Sequence, residues 1–204
     1  MTILTPSSDL SNDILIEMSD ETRADSIYYN QLSYFSSKLS AGGAIETCKA
    51  VMNGTVKNAI AVIRPPGHHA EVTKPMGFCM FNNVCIASRI CQETFGESCR
   101  KILILDWDVH HGNGCQKAFY DDPNILYISI HVHMNGMFYP SGDDGAADKV
   151  GEGPGEGKYD RRSNPWFSLT ADTSQEHQYP LDAQGTRRWR LYVRLSADSH
   201  ASGP

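Results

Sequence analysis

The chain has 204 residues, 40% of them hydrophobic, six cysteines and a formal net charge of −6 at pH 7. This composition fits one domain with a sizeable core, and the acidic balance argues against direct nucleic-acid binding. The sequence contains no run of roughly 18 apolar residues, and Met1–Leu10 does not have the pattern of a signal peptide. The six cysteines form no Cys-x-x-Cys pair. We therefore expect a cytosolic or nuclear protein with reduced thiols and no membrane span.

The first half of the chain predicts two helices and one strand. Ser40–Asn53 has apolar residues at helical spacing and ends before Gly54. Ala59–Ile63 is a short apolar run that stops at a Pro-Pro-Gly turn, which predicts a buried strand. Asn82–Phe95 predicts a second helix, with an Asn cap at its start and Gly96 at its end. The residues that set the helical spacing are Ile45, Cys48 and Met52 in the first helix and Val84, Ala87 and Cys91 in the second.

Strands and helices continue to alternate further along the chain. Ile102–Leu105 predicts the central strand, Asn113–Tyr120 a short helix and Ile125–His131 another strand, whereas Met134–Gly157 is rich in glycine and predicts a loop. Alternation at this spacing favours an α/β fold, a parallel sheet with helices on both faces.

The most informative stretch follows the central strand. The apolar run ends in Asp106, Asp108 and His110, and the turn contains Gly112. Ligands in open α/β sheets lie beyond the carboxyl ends of strands. Because side chains alternate along an extended segment, we expect these three polar side chains on one side of it, with Trp107 and Val109 on the other. An Asp and a His two residues apart form half of a metal site; the alternative is a strand end whose polar residues merely cap a loop.

A pair of histidines lies in the second motif, Arg64-Pro-Pro-Gly-His-His-Ala70. Although a lone histidine is more often structural, His68 and His69 follow a predicted strand end and a rigid turn. A histidine can act as general base toward water at a metal, and a buried carboxylate such as Asp106 can fix the tautomer of such a histidine. Together these groups indicate metal-assisted hydrolysis of an amide.

Three linked blocks resemble the class II branch of the zinc-dependent histone deacetylases, in the arginase/deacetylase superfamily. They are Arg64-Pro-Pro-Gly-His-His-Ala70, Gly77-Phe-Cys-Met-Phe-Asn-Asn-Val84 and Ile102–Gly114, and the strand Tyr127–His131 agrees too. The resemblance covers about Asp25–Gly157, and the Pro-Pro pair points to class II. It implies an arginase/deacetylase fold and zinc-dependent hydrolysis of N6-acetyl-lysine in histone tails.

The resemblance also implies roles for individual residues. Asp108 and His110 correspond to zinc ligands, and His69 to the general base. His68 corresponds to an electrostatic partner of the base, held by Asp106.

Further positions correspond to the substrate tunnel and a second ion. Phe78 would line one wall of the acyl-lysine tunnel and Tyr139 the opposite wall, while Asn113 replaces an Asp usual in class I, so that the second histidine would lack a carboxylate partner. Potassium would be held by backbone oxygens of Asp106, Asp108, His110 and Ser129.

The resemblance leaves residues 1–24 uncertain, makes 25–157 a partial catalytic domain, and ends before 158–204. The family's third zinc ligand, an Asp in a Gly-Phe-Asp-Ala setting, and its Gly-Gly-Tyr or Gly-Gly-His loop do not occur in the chain. The net charge changes from −8 over 1–157 to +2 over 158–204. Codons for Gly157-Lys158-Tyr159 can contain an intron start, and codons can be chosen for residues 178–182 and 189–196 that give family-like sequence when read one nucleotide later. We therefore expect a truncated or mis-spliced form with a disordered tail.

These features predict weak or absent activity for the chain alone. The alternatives are a non-catalytic pseudo-deacetylase fragment that acts through protein partners, and a deacetylase of small acetylated amines. A binuclear manganese arginase is disfavoured, because that chemistry requires a carboxylate two residues after His110, where this sequence has Gly112. The partners implied by the resemblance are acetylated histone tails and co-repressor proteins, with no direct nucleic-acid or membrane contact, in the nucleus, the cytoplasm or both.

Overall fold

The computed structural model describes residues 7–157 in full and, beyond them, the backbone of two short strands. Its helices are α1 (Asn12–Thr22), α2 (Ser33–Met52), α3 (Asn83–Phe95) and α4 (Asn113–Phe119). Its strands are β1 (Ile102–Asp106), β2 (Ile125–Ser129), β3 (Tyr159–Arg161) and β4 (Leu191–Leu195). Short 3-10 turns connect several of these elements. No helix in the described part of the chain is long and apolar enough to cross a membrane.

The chain divides into two compact units. The first contains the chain up to Phe95 together with Asn113–Ala118, and so holds α1 to α3 and nearly all of α4. The second contains Gly96–Gly112 and the chain from Phe119 onward, and so holds the sheet.

Helix α2 begins at Ser33, well before the predicted start at Ser40. The turn ahead of it is fixed by side-chain hydrogen bonds, because the Leu32 backbone N–H donates to Asn30 Oδ1 at 2.8 Å and the Asn30 N–H donates to Ser33 Oγ at 2.9 Å. The predicted apolar face is only half-buried. The buried positions are the small residues Ser37, Ser40, Ala41 and Ala44, which allow α2 to pack closely on α3.

The strand predicted at Ala59–Ile63 is wrong. These residues form no regular element, and Ile60 and Val62 are 89% and 94% exposed. A short apolar run acquires strand structure only when a neighbouring strand accepts its backbone hydrogen bonds. None of the described strands pairs with this segment.

Helix α3 agrees with the sequence prediction in its cap, its buried face and its end. The Cys85 N–H donates to Asn82 Oδ1 at 3.2 Å, which satisfies a backbone donor of the first turn. Val84, Ala87 and Cys91 are all buried. Gly96 ends the helix with a φ of +51°, a left-handed conformation that favours glycine.

The sheet is parallel, as predicted, in the order β3-β2-β1-β4. In the register of β1 on β2, Ile102 faces Ile125 and Asp106 faces Ser129. Strand β2 ends at Ser129 rather than at the predicted His131 because β1 has already ended at Asp106, whose carbonyl accepts from the Ile130 N–H at 2.8 Å. Alternate side chains of β1 are fully buried, and the last of them is the Asp106 carboxylate.

The segment after β2 is irregular, as predicted. It contains only short 3-10 turns up to Gly157. Gly155 contacts the chain after α4 so closely that a Cβ on it would lie 2.6 Å from the Tyr120 carbonyl oxygen. The predicted disordered tail at 158–204 lies mostly outside the described residues. The two segments that are described, β3 and β4, disagree with that prediction, because they are strands that pair with β2 and β1.

Candidate functional site

In the first unit, the histidine motif is a loop held by two helices. The Pro65 carbonyl oxygen accepts hydrogen bonds from Ser40 Oγ of α2 at 2.7 Å and from Asn83 Nδ2 of α3 at 3.0 Å. Both helical side chains are buried. The packing of α2 on α3 therefore fixes the position of Pro65, near the start of the histidine loop.

Helix α4 holds the other end of this loop. The Cys115 N–H donates to the His68 carbonyl oxygen at 3.2 Å. Gly114 makes the approach possible, since a Cβ on it would lie 2.2 Å from the carbonyl oxygen of Ala70 and 2.8 Å from that of His68. Both contacts are with backbone, which cannot move aside as a flexible side chain can.

We expect the substitution Gly114→Ala to destabilise the protein by about 1–3 kcal/mol, because the added methyl group would force α4 away from the histidine loop. The measurement is the midpoint of urea-induced unfolding. Gly42→Ala is the matched control, since Gly42 lies inside α2 and an added methyl group would have no atom within 4 Å of it. This control should gain about 0.5–1 kcal/mol. Equal midpoints for the two variants would contradict the close approach.

The two motif histidines lie side by side in the first unit. The ring centroids of His68 and His69 are 4.0 Å apart, and the residues are 6% and 3% exposed. The Nδ1 atom of His69 lies 2.8 Å from Asn113 Oδ1. His69 Nδ1 thus contacts an amide and not a carboxylate, which agrees with the expectation from the Asn at position 113.

The carboxylate of Glu71 nevertheless lies next to Asn113, on the side away from His69 Nδ1. Asn113 Nδ2 donates to Glu71 Oε1 at 2.6 Å, and Lys117 Nζ donates to the same oxygen at 2.8 Å. Partial burial of Glu71 favours its neutral form, but the hydrogen bonds from Lys117 and Asn113 and the attraction to Lys117 and Lys74 outweigh that effect and lower the pKa of its carboxyl group. Glu71 and Lys117 were not among the site residues predicted from the sequence.

In the second unit, Asp106 is fully buried at the end of β1. Tyr127 of the neighbouring strand donates its hydroxyl to Asp106 Oδ2 at 2.8 Å, and the Asp108 N–H donates to Asp106 Oδ1 at 3.2 Å. These hydrogen bonds satisfy buried carboxylate oxygens and so offset part of the cost of burial. Tyr127 was overlooked as a site residue, although alternation along β2 places it on the same face as Ser129.

Asp108 and His110 converge beyond the strand end. The carboxylate Oδ1 of Asp108 and the ring Nδ1 of His110 are 3.0 Å apart, and Asp108 Oδ1 also accepts from the His110 N–H at 2.8 Å. Two ligand atoms of one tetrahedral zinc ion lie about 3.3 Å apart. The pair therefore fits one half of such a site in donor type and spacing. Within residues 7–157, no group of three or more His, Cys, Asp or Glu side chains is arranged to hold a metal.

Two aromatic side chains enclose His110. The Phe138 ring stacks on the imidazole at 5.2 Å between centroids with an angle of 15°, and the Tyr139 ring meets it edge-on at 5.8 Å. Tyr139 thus contacts a predicted metal ligand. Phe138 was not among the site residues predicted from the sequence. The aromatic pair limits the orientations open to an imidazole that is one-third exposed.

A second imidazole cluster follows β2. His131 Nε2 lies 3.0 Å from the Gly145 carbonyl oxygen, which can only accept, so this nitrogen carries the proton. Its Nδ1 lies 2.7 Å from Ser129 Oγ, and in the neutral ring it accepts from that hydroxyl. The His111 ring lies 4.8 Å from the His131 ring, and both residues are buried.

Within each unit, several predicted site residues are neighbours. After β1 the chain bends rather than remaining extended. Asp106 and Asp108 are buried and Val109 is 40% exposed, but Trp107 and His110 are both half-buried, so the predicted alternation is only partly seen. Phe78 of the first unit is 64% exposed, with a φ of +66°. The predicted support of His68 by Asp106 and the predicted pairing of Phe78 with Tyr139 join residues of different units and stay predictions.

Comparison with known proteins places these features in a family context. A family profile described as the histone deacetylase domain matches residues 4–176. The chain is 56% identical over 149 residues to histone deacetylase HDA1 of Candida albicans, a match that covers 73% of this chain and 18% of that protein. It is also 56% identical over 138 residues to histone deacetylase clr3 of Schizosaccharomyces pombe, covering 68% and 20%.

A solved structure of the HDA15 HD domain is similar in fold. It has a TM-score of 0.63 and 39% sequence identity to this chain, and the match covers 76% of this chain and 44% of that structure. The chain spans about a fifth of the length of the two curated relatives it matches. The profile match extends further at both ends than the resemblance over residues 25–157.

Proposed function

Since the chain belongs to the histone deacetylase family, we propose that it carries the general base and two metal ligands of a zinc-dependent hydrolase that acts on N6-acetyl-lysine in histone tails. The observation that carries this proposal is the convergence of Asp108 Oδ1 and His110 Nδ1 at 3.0 Å beyond β1. A carboxylate oxygen and an imidazole nitrogen at this spacing are a donor set that suits zinc.

In this proposal, Asp108 and His110 would hold the zinc ion, and a complete catalytic site would need a third protein ligand. Zinc, when bound, lowers the pKa of water to about 7 and polarises a carbonyl oxygen. Backbone oxygens of Asp106, Asp108, His110 and Ser129 would hold a potassium ion.

His69 acts as the general base. Its Nε2 takes a proton from the water whose oxygen attacks the acetyl carbonyl carbon, and the proton then passes to the leaving lysine nitrogen as the C–N bond breaks. The products are acetate and a free lysine side chain. His68, supported by Asp106, acts as electrostatic partner of the base.

The acyl-lysine side chain is proposed to run between Phe78 and Tyr139. The high exposure of Phe78 is compatible with this assignment, because its ring is accessible to an apolar ligand. The proposed partners are acetylated histone tails and co-repressor proteins, without direct nucleic-acid contact, and the proposed location is the nucleus, the cytoplasm or both. Residues 158–204 are proposed as a tail that follows the partial catalytic domain, apart from the strand backbones of β3 and β4, which pair within its sheet.

A second candidate is a non-catalytic fragment that acts through protein partners. It is favoured by the observation that, among residues 7–157, no group of three or more His, Cys, Asp or Glu side chains is arranged to hold a metal. A deacetylase of small acetylated amines uses the same chemistry and differs in the tunnel rim.

A chimera tests the proposed function. The matched span of the Schizosaccharomyces pombe relative, which supplies the rest of a catalytic domain, is replaced by the corresponding 138 residues of this chain. We expect this chimera to release acetate from an acetylated histone peptide and to stop when zinc is chelated. A folded but inactive chimera would favour the non-catalytic candidate, and turnover of acetylated diamines without turnover of the peptide would favour small amines.

A further inference from the structure

We propose that Glu71 is a positioning residue, which fixes the orientation of the Asn113 amide and through it the tautomer of His69. The inference deepens the proposed function, on which the catalytic meaning of the tautomer rests. The geometric part rests on the first unit alone, which contains all the residues concerned.

The orientation of the Asn113 amide follows from its neighbours. Its Nδ2 group lies 2.6 Å from Glu71 Oε1, 3.4 Å from the His69 carbonyl oxygen and 3.3 Å from Met76 Sδ. All three of these atoms accept hydrogen bonds. A flipped amide would place its carbonyl oxygen 2.6 Å from a carboxylate oxygen, so that two acceptors would face each other.

Glu71 can orient the amide because it is held in place and charged. Lys117 Nζ donates to Oε1 at 2.8 Å, and the Glu71 N–H donates to the Lys74 carbonyl oxygen at 2.9 Å. The lowered pKa of Glu71 keeps the carboxyl group ionised throughout the neutral range. An ionised carboxylate only accepts, so it cannot satisfy the flipped amide by donating a proton.

The fixed amide then determines which nitrogen of His69 carries the proton. Asn113 Oδ1 can only accept, and it lies 2.8 Å from His69 Nδ1. The neutral ring is therefore protonated on Nδ1 and has its lone pair on Nε2, the state that a general base acting through Nε2 requires. His69 and Asn113 are 3% and 4% exposed, so bulk water cannot replace either partner at low cost.

The Glu71–Lys117 ion pair is too exposed for stabilisation to be its main role. The two side chains are 24% and 49% exposed, and ion pairs at such positions contribute little to stability. A surface ion pair does not require the hydrogen bond that Glu71 accepts from the buried Asn113 amide, so this hydrogen bond indicates a role other than stability. That contact links residues 42 positions apart.

The test reads the tautomer directly by NMR. Ring ¹⁵N–¹H spectra of the 204-residue chain, recorded above the pH at which histidines titrate, distinguish Nδ1–H from Nε2–H, and His69→Ala identifies the His69 signals. We expect the wild-type ring to carry its proton on Nδ1. Glu71→Ala should give a mixture of the two tautomers, since the amide can then flip. Glu71→Gln should retain the wild-type tautomer, because the new side chain keeps an oxygen for Asn113 and Lys117.

A double substitution separates positioning from structure. In the Asn113→Asp background, the carboxylate accepts from His69 Nδ1 in either orientation, so Glu71→Ala should no longer change the tautomer. Glu46→Ala is the control, because it removes another ion pair of the first unit, that with Lys49, and should leave the ring unchanged. If Glu71→Ala fails to fold, Glu71→Met makes the same test, since it keeps the side-chain length without the oxygens.

A folded Glu71→Ala or Glu71→Met variant whose His69 remains wholly Nδ1-protonated would overturn the inference. In the chimera, Glu71→Ala should lower kcat by about 10-fold or more with little change in KM, and Glu71→Gln should restore it. Failure of the proposed function would look different, because the tautomer would respond as expected while the activity would not depend on His69.

Discussion

His69→Ala should lower the rate of acetyl-lysine hydrolysis by the chimera by about 100- to 10,000-fold, the usual contribution of a general base. The substitution removes the nitrogen that accepts the proton from water, but it leaves the proposed ligands Asp108 and His110 in place. Zinc content should therefore remain nearly unchanged. The measurements are kcat on an acetylated histone peptide and zinc by elemental analysis of the same sample.

The control for this experiment is His133→Ala, which removes a more exposed imidazole bonded to the Gly142 carbonyl oxygen. We expect it to keep most of the activity. The 204-residue chain alone should show negligible turnover, because its sequence lacks the family's third ligand motif and the Gly-Gly-Tyr or Gly-Gly-His loop, and loss of one oxyanion donor alone costs on the order of 100-fold or more. Family-like rates from the short chain, or an active His69→Ala chimera, would show that other residues do the chemistry.

Asp108→Ala should abolish zinc binding by the 204-residue chain, which itself should hold less than one zinc ion per molecule. Catalytic zinc sites usually have three protein ligands, and Asp108 and His110 supply only two. Removal of the carboxylate leaves a single imidazole, which binds zinc weakly. The measurement is the zinc-to-protein ratio after dialysis against a mild chelator.

Asp148→Ala is a suitable control for the zinc experiment, since Asp148 is an exposed carboxylate outside the strand-end motif. It should retain whatever zinc the wild-type chain holds. Stoichiometric zinc that resists chelation in the wild-type chain would contradict the two-ligand account and would indicate a further ligand among residues 158–204.

The elements that the sequence predicted well are those with several local signals. Helix α3 has a capping Asn, an apolar face and a terminal Gly, and its observed bounds agree with the prediction to within one residue at the start. The start of α2 was missed because its buried positions are serines and alanines, which carry no hydrophobic periodicity. The run at Ala59–Ile63 has the composition of a strand, but pairing depends on a neighbour that local sequence does not specify.

The candidate site shows the same division. The spacing of Asp106, Asp108 and His110 identified a polar cluster at a strand end, because alternation and strand polarity are local rules. Glu71 could not be found in this way. Its contact with Asn113 joins positions 42 residues apart, and it depends on the close approach of α4 to the histidine loop.

The exposed run Ala59–Ile63 has a consequence for how this protein behaves in concentrated solution. Its β-branched residues Ile60 and Val62 are almost fully accessible, and the run has no charge and no proline. Segments of this kind can stack between molecules as cross-β aggregates. Lys57 and Arg64 lie on either side of the run, and such flanking charges act as gatekeepers that oppose stacking by electrostatic repulsion. Colloidal stability of the chain thus depends on two cations that have no part in the proposed chemistry.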